Sequence, residues 1–157
     1  MPDLLISGPA GADKSARARL ELRKLGESGE PAIAVDFQAL YAALTLASRD
    51  ADGNYPLRDT RLLPITEYVR RAAITGARQS GIAIVATNSD GSGLRRDVLL
   101  DSLGNDAREI VVDPGEDVVV RRLSNPRTRK LSGQCRTAIN RWYRPANRTF
   151  GGRKPRR

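Results

Sequence analysis

Asp3-Leu4-Leu5-Ile6-Ser7-Gly8-Pro9-Ala10-Gly11-Ala12-Asp13-Lys14-Ser15 lies at the start of the chain. Leu4 to Ser7 reads as a short buried strand. A glycine-bearing turn follows, and the Lys14-Ser15 pair opens a helix. Strand, turn and helix in that order are the setting in which the pattern G-x-x-x-x-G-K-[ST] holds phosphate. Every fixed position matches except one: Asp13 stands where the second glycine belongs.

The chemistry of such a loop is physical. Its backbone N–H groups turn inward as an anion nest, and the following helix adds partial positive charge at its N-terminus. Gly8, Gly11, Ala12, Asp13, Lys14 and Ser15 are the candidate residues for ATP. Lys14 would reach the β- and γ-phosphates, and Ser15 would give its hydroxyl oxygen to Mg²⁺. Asp13 opposes this, because it brings a side chain and a negative charge to a place of close approach. Two unit charges 4 Å apart interact by about 1 kcal/mol in water and about 4 kcal/mol at an effective dielectric of 20. That corresponds to roughly ten- to a thousand-fold in affinity. Asp13 could instead swing outward onto an arginine, or lie near the metal.

Downstream, the pattern alternates. Lys14 to Leu25 predicts a helix ended by Gly26 and Gly29, and Ala32 to Val35 a fully buried strand ending in Asp36. Phe37 to Leu46 predicts a helix, 49–61 a polar loop, and Leu63 to Ser80 a helix with Pro64 in its first turn. Ile82 to Ala86 predicts a strand, with Thr87 to Gly91 as its polar end. Ser92 caps a helix through Leu103, Glu109 to Val112 is a strand, and Glu116 to Leu123 a helix. A basic turn, Ser124 to Lys130, leads to a helix from Ser132 to Tyr143. The fold class is therefore α/β: a three-layer P-loop NTPase-like fold with a parallel sheet between helices. Ligands of such sheets bind at the carboxyl ends of the strands. Those ends carry Gly8–Ser15, Asp36, Thr87–Asp90 and Asp113.

The composition narrows the chemistry. The chain has 157 residues and 39% apolar content, enough for one domain with a real core. It has no histidine, so any general base is a carboxylate before Lys, Tyr or Cys. The lone Cys135 excludes an internal disulfide and fits a reducing, cytoplasmic setting. No apolar run of about 18 residues predicts a membrane span, and Met1-Pro2-Asp3 does not read as a signal peptide. The net charge of +9 is unevenly spread: residues 1–117 hold 14 Lys/Arg and 18 Asp/Glu, whereas 118–157 hold 13 Lys/Arg and no acid. A one-signed block suggests a polyanionic partner, and residues 121–157 are candidates for nucleic acid. The expected division is a domain over 1–144, with a lid about 121–131, and a basic, disordered tail over 145–157.

Val85-Ala86-Thr87-Asn88 with Arg95-Arg96, then Ile110-Val111-Val112-Asp113-Pro114, then Arg121-Arg122, Arg127 and Arg129, resembles the polynucleotide-kinase-like branch of P-loop kinases. The shared order spans residues 3–143. The resemblance implies an ATP- and Mg²⁺-dependent phosphotransferase with Asp36 as general base, Lys14 and Ser15 on phosphate and metal, and Thr87 and Asn88 as orienting groups. Arg122, Arg127 and Arg129 would close over the transferring phosphate. Arg141 and Arg144 are further contacts for an acceptor or nucleic acid. Three positions depart from the family pattern: Asp13, Ala86 where an acid is expected, and Ala39 where an acceptor-clamping Arg is expected. Asp36-Phe37-Gln38-Ala39-Leu40, Thr87–Gly91 and Arg141-Trp142-Tyr143 also look like small bacteriophage and prophage P-loop proteins.

Blander roles stand beside these. Asp36 could cap the next helix, Asn88 and Asp90 could form a turn, and Arg121 and Arg122 could line a solvated face. Trp142 and Tyr143 read as core packing and Cys135 as a small packed residue. The rival functions are a non-catalytic binding module acting on nucleic acid or in phage assembly, and an ATP-driven hydrolase. The hydrolase lacks an acid on the third strand.

Overall fold

The computed structural model describes residues 2–46, 48, 59–89, 96–125 and 127–144. Expectations for 49–58, for Asp90 to Arg95 and for the tail lie outside these residues.

Among the described residues, runs too short for helices form four parallel strands: β1 (Leu4–Gly8), β2 (Ala32–Val35), β3 (Ala83–Ser89) and β4 (Arg108–Val111), in the order β2-β3-β1-β4. Leu4 pairs with Val85 and Arg108, so β1 lies between β3 and β4. Ile33 pairs with Ile84, which places β2 on the outside of β3. The helices are α1 (Lys14–Glu27), α2 (Phe37–Thr45), α3 (Leu63–Gln79), α4 (Arg96–Leu103), α5 (Glu116–Leu123) and α6 (Gly133–Tyr143). A 3₁₀ turn, Thr60–Leu62, leads into α3, with the Asp59 carboxylate capping Arg61 N.

The strand alternation divides the core in two. Leu5, Ile84 and Ala86 face α3 and α4, where they meet Ile74, Ala77, Leu99 and Leu103. Ile6 and Val85 face the other way, onto Ala18 and Leu25 of α1. Helices thus cover both faces of one parallel sheet, the three-layer arrangement expected.

Four expectations need correction. β2 is an edge strand with Ala34 exposed: among the described residues only β3 pairs with it. Gly26 does not end α1: the helix runs through it, and Gly29 at φ +76° makes the turn. Asn88 does not form a turn: β3 continues through Thr87 and Asn88, which pair with Ile6 and Ser7 of β1 and are buried. Trp142 and Tyr143 are not apolar filling. Trp142 Nε1 and Tyr143 Oη donate to the Asp113 carboxylate at 3.1 and 2.6 Å, fastening α6 to the end of β4. Those bonds hold the Asp113 carboxyl below the usual carboxylate range, chiefly through Tyr143.

Candidate active site

The loop from β1 to α1 is built by close approaches. A side chain on Gly8 would collide with the Val112 carbonyl oxygen, so only glycine lets β1 and the segment after β4 run together there. Gly11, at φ +76°, sits under Leu123 at the end of α5. Ala12 is buried, and its N–H donates to Pro9 O at 3.2 Å. The Asp13 carbonyl receives Ala16 N and Arg17 N, which starts α1.

Asp13 itself has φ 59° and ψ 33°, the left-handed conformation that a glycine adopts without strain. The backbone thus keeps a glycine-like path at the mismatched position. Its side chain turns outward and pairs with Arg122 Nη1 at 2.8 Å. Arg122 Nη1 also donates to Gly11 O at 3.0 Å. Of the alternatives open to Asp13, the structure takes the arginine.

Lys14 Nζ lies back over the loop on the Pro9 carbonyl, 2.6 Å away. Burial pushes its ammonium down to about 8, while the carboxylates of Asp36 and Asp13 pull the other way. Asp36 caps α2, with Oδ1 accepting Ala39 N at 2.9 Å. Its other oxygen, Oδ2, accepts Ser15 Oγ at 3.1 Å and Thr87 Oγ1 at 2.6 Å. The bland capping role and the convergence on the loop are both present, one on each carboxylate oxygen.

The structure therefore gathers Gly8, Gly11, Ala12, Asp13, Lys14, Ser15, Asp36, Thr87 and Arg122 at one corner. Arg127 and Arg129 are exposed on a turn organised by Asn125, whose Oδ1 accepts Arg127 N and whose backbone oxygen accepts Arg129 N. Arg141 is exposed on α6, and Arg144 is committed to Glu116 at 2.6 Å and to Asn140. Arg96 forks onto the Glu109 carboxylate and ties α4 to β4. One residue escaped the sequence reading: Arg70 on α3 is 0% exposed and donates through Nη2 to the Thr87 carbonyl. Its signal was present. Thr66, Arg70, Ile74 and Ala77 form one buried helical stripe, and an arginine on a core-facing stripe is anomalous.

The loop suits phosphate oxygens. Its conformation is kept at position 13, and the Asp13 carboxylate is turned onto Arg122 with 64% of the side chain exposed. The hydroxyl of Ser15 beside the Asp36 carboxylate is a hard oxygen pair suited to Mg²⁺.

No family model matches the chain, and no curated protein matches it. Solved structures do. A structure of the Pnkp1/Rnl/Hen1 RNA repair complex aligns with TM-score 0.62 and 17% identity over 89% of this chain and 42% of that one. A second structure of the Pnkp1/Rnl/Hen1 complex gives 0.58 and 18%, over 84% and 41%. A gluconokinase from Sinorhizobium meliloti 1021 gives 0.51 and 17%, over 94% and 78%. The chain spans about two-fifths of the length of the first two. The fold is P-loop kinase-like.

Proposed function

We propose that this chain is an ATP-dependent phosphotransferase of the P-loop kinase type. The observation that carries the reading is the Asp36 carboxylate, held by Ser15 and Thr87 at the mouth of the phosphate loop. Lys14, Ser15 and the loop N–H groups hold the nucleotide phosphates, and Ser15 gives an oxygen to Mg²⁺. When bound, ATP supplies the phosphoryl group and Mg²⁺ offsets its charge. Asp36 takes the proton from the acceptor hydroxyl, and Thr87 fixes the carboxylate that does so. Arg122 adds positive charge at the loop, with Arg127 and Arg129 as further lid cations. With an RNA repair complex and a gluconokinase among the neighbours, the acceptor is an RNA or a sugar acid. The basic composition of residues 121–157 favours nucleic acid.

A second reading rests on the Asp13–Arg122 pair. It keeps a lid cation on a side chain that repels phosphate, which suits a binding module that has given up catalysis and uses its basic end on nucleic acid or in a phage assembly. Binding of labelled ATP with Mg²⁺ to the wild type, Asp13→Gly and Lys14→Ala separates the two. Binding by the wild type but not by Lys14→Ala supports the kinase. Binding by Asp13→Gly alone supports the module. Binding by none removes both nucleotide readings.

A further inference from the structure

The end of the sheet opposite the phosphate loop has its own chemistry. In a parallel sheet the connecting helices run back against the strands. Helix α1 therefore ends at Ser28, just before β2, and α3 ends at Ser80, just before β3. Helix α4 ends close by, because Arg78 Nη1 of α3 donates to Ser102 O at 2.9 Å. A helix carries partial negative charge at its carboxyl end. The amino ends of the strands thus collect negative ends, whereas the phosphate loop sits at a positive one.

A cavity of about 370 Å³ opens at this end. Small-molecule sites run from about 300 to 1,000 Å³. Its charged residues are Asp3, Glu30 and Arg78, and its apolar ones include Pro31, Ile82 and Ala83. Asp3 is fixed rather than loose: Oδ1 accepts Ile84 N at 2.9 Å, and its backbone oxygen accepts Arg108 N at 2.8 Å. Oδ2 has no such bond and is left to the cavity. The wall beneath is held by Ala83 N on Pro31 O at 3.0 Å, which joins the turn before β2 to the turn before β3. Arg78 does not cancel the two carboxylates. Its guanidinium is drawn to the end of α4, on Ser102 O and against Gly104, where an added side chain would meet Nη2 at 2.7 Å.

The lining selects among ligands. Two carboxylates and three helix carboxyl ends repel an anion. A divalent metal wants more oxygen ligands than this, and among the described residues no three acidic, thiol or imidazole groups come together. An ammonium needs only hydrogen-bond acceptors and negative charge, and a chain of methylenes suits Pro31, Ile82 and Ala83. We infer that this cavity binds a linear aliphatic polyamine, with one ammonium on Asp3 Oδ2, another on the Glu30 carboxylate and the methylenes on the apolar wall. The site is independent of the kinase reading, and its ligand bridges the turns before β2 and β3.

The test is calorimetric, on the full chain without nucleotide and at fixed ionic strength. Spermidine is compared with propylamine, which has one ammonium, and with Mg²⁺. Spermidine should bind with a dissociation constant of about 1 mM or below and about ten-fold or more tighter than propylamine. Glu30→Gln should weaken it about three-fold or more, and Glu30→Gln with Asp3→Asn about ten-fold or more. Asn at position 3 keeps an acceptor for Ile84 N, and Glu30→Gln alone covers the case in which the double variant fails to melt cooperatively. Asp117→Asn, which removes an exposed carboxylate on α5, should leave spermidine binding within about two-fold. No spermidine binding below about 10 mM, Mg²⁺ binding as tight as that of spermidine, or equal affinity in the wild type and the folded variants would each overturn the assignment. So would a loss in Asp117→Asn equal to that in Glu30→Gln, which would mean a diffuse attraction to the acidic body.

Discussion

The β1–α1 loop with Asp36 and the cations proposed for the lid, Arg122, Arg127 and Arg129, are held in opposite ways. Around Asp36 each oxygen is bonded to a group fixed by a helix start or a strand: Ala39 N, Ser15 Oγ and Thr87 Oγ1. The lid cations stand in solvent, and their link to the loop is the half-exposed Arg122. A bonded, partly buried network keeps its geometry at little entropic cost, whereas long exposed side chains give up rotamer freedom for a screened attraction. Asp36 and the loop are thus preset, and the arginines proposed for the lid are adjustable.

That contrast can be broken most sharply at Asp36. Asp36→Ala should lower phosphoryl transfer from labelled ATP by about 10²–10⁴-fold and cost about 1 kcal/mol through the lost α2 cap. Asp36→Asn should keep most of the melting temperature and still lose transfer. Transfer retained in Asp36→Asn, which caps a helix as well as Asp, would reduce Asp36 to a cap.

Lys14 gives the next largest effect, through pH. Its folded pKa of about 8 lies below the ordinary 10.5, so between those values the unfolded chain binds more protons. Folding stability should therefore rise with pH across 8 to 10.5, by at most about 1.4 kcal/mol per pH unit. Below about 8 the full penalty of the buried ammonium is present. Over the same window ATP affinity should fall, because the cation that meets phosphate is lost. Urea titrations of the wild type and Lys14→Met check the first, with the slope missing in the variant. Nucleotide titrations across pH check the second.

On the far side of the lid, Tyr143→Phe removes one bond to Asp113 and should cost about 1 kcal/mol in melts while leaving ATP affinity unchanged. The smallest effect belongs to the lid contact itself. A double-mutant cycle on Asp13→Asn and Arg122→Gln should give a coupling of about 0.2–1 kcal/mol, shrinking in high salt. A coupling well above that range would mean that the lid is as firmly set as the base.

The fold was legible because its signals are local. Short apolar runs alternate with helical stripes, and glycines stand where β1 and α1 must turn. The loop, Asp36 and Thr87 were legible because each sits at a strand end in a parallel sheet. What stayed hidden depends on distant neighbours. The edge position of β2 follows from strand order, which no single run encodes. Asn88 reads as a turn former because polar residues usually leave a sheet, but pairing with Ser7 keeps it in β3. Arg70 was passed over because it sits among other charges on α3, and only its place on the buried stripe marks it.

The Asp113 anchor has an optical consequence. Trp142 is the single tryptophan of the chain, and its indole N–H is bonded to Asp113 just beyond β4, next to Val112, whose N–H donates to Ser7 O at 2.8 Å and whose carbonyl lies over Gly8. Its emission therefore reports, without any added dye, on the seam between α6 and the strand that borders the phosphate loop. Acidification through the titration of Asp113 should change that emission.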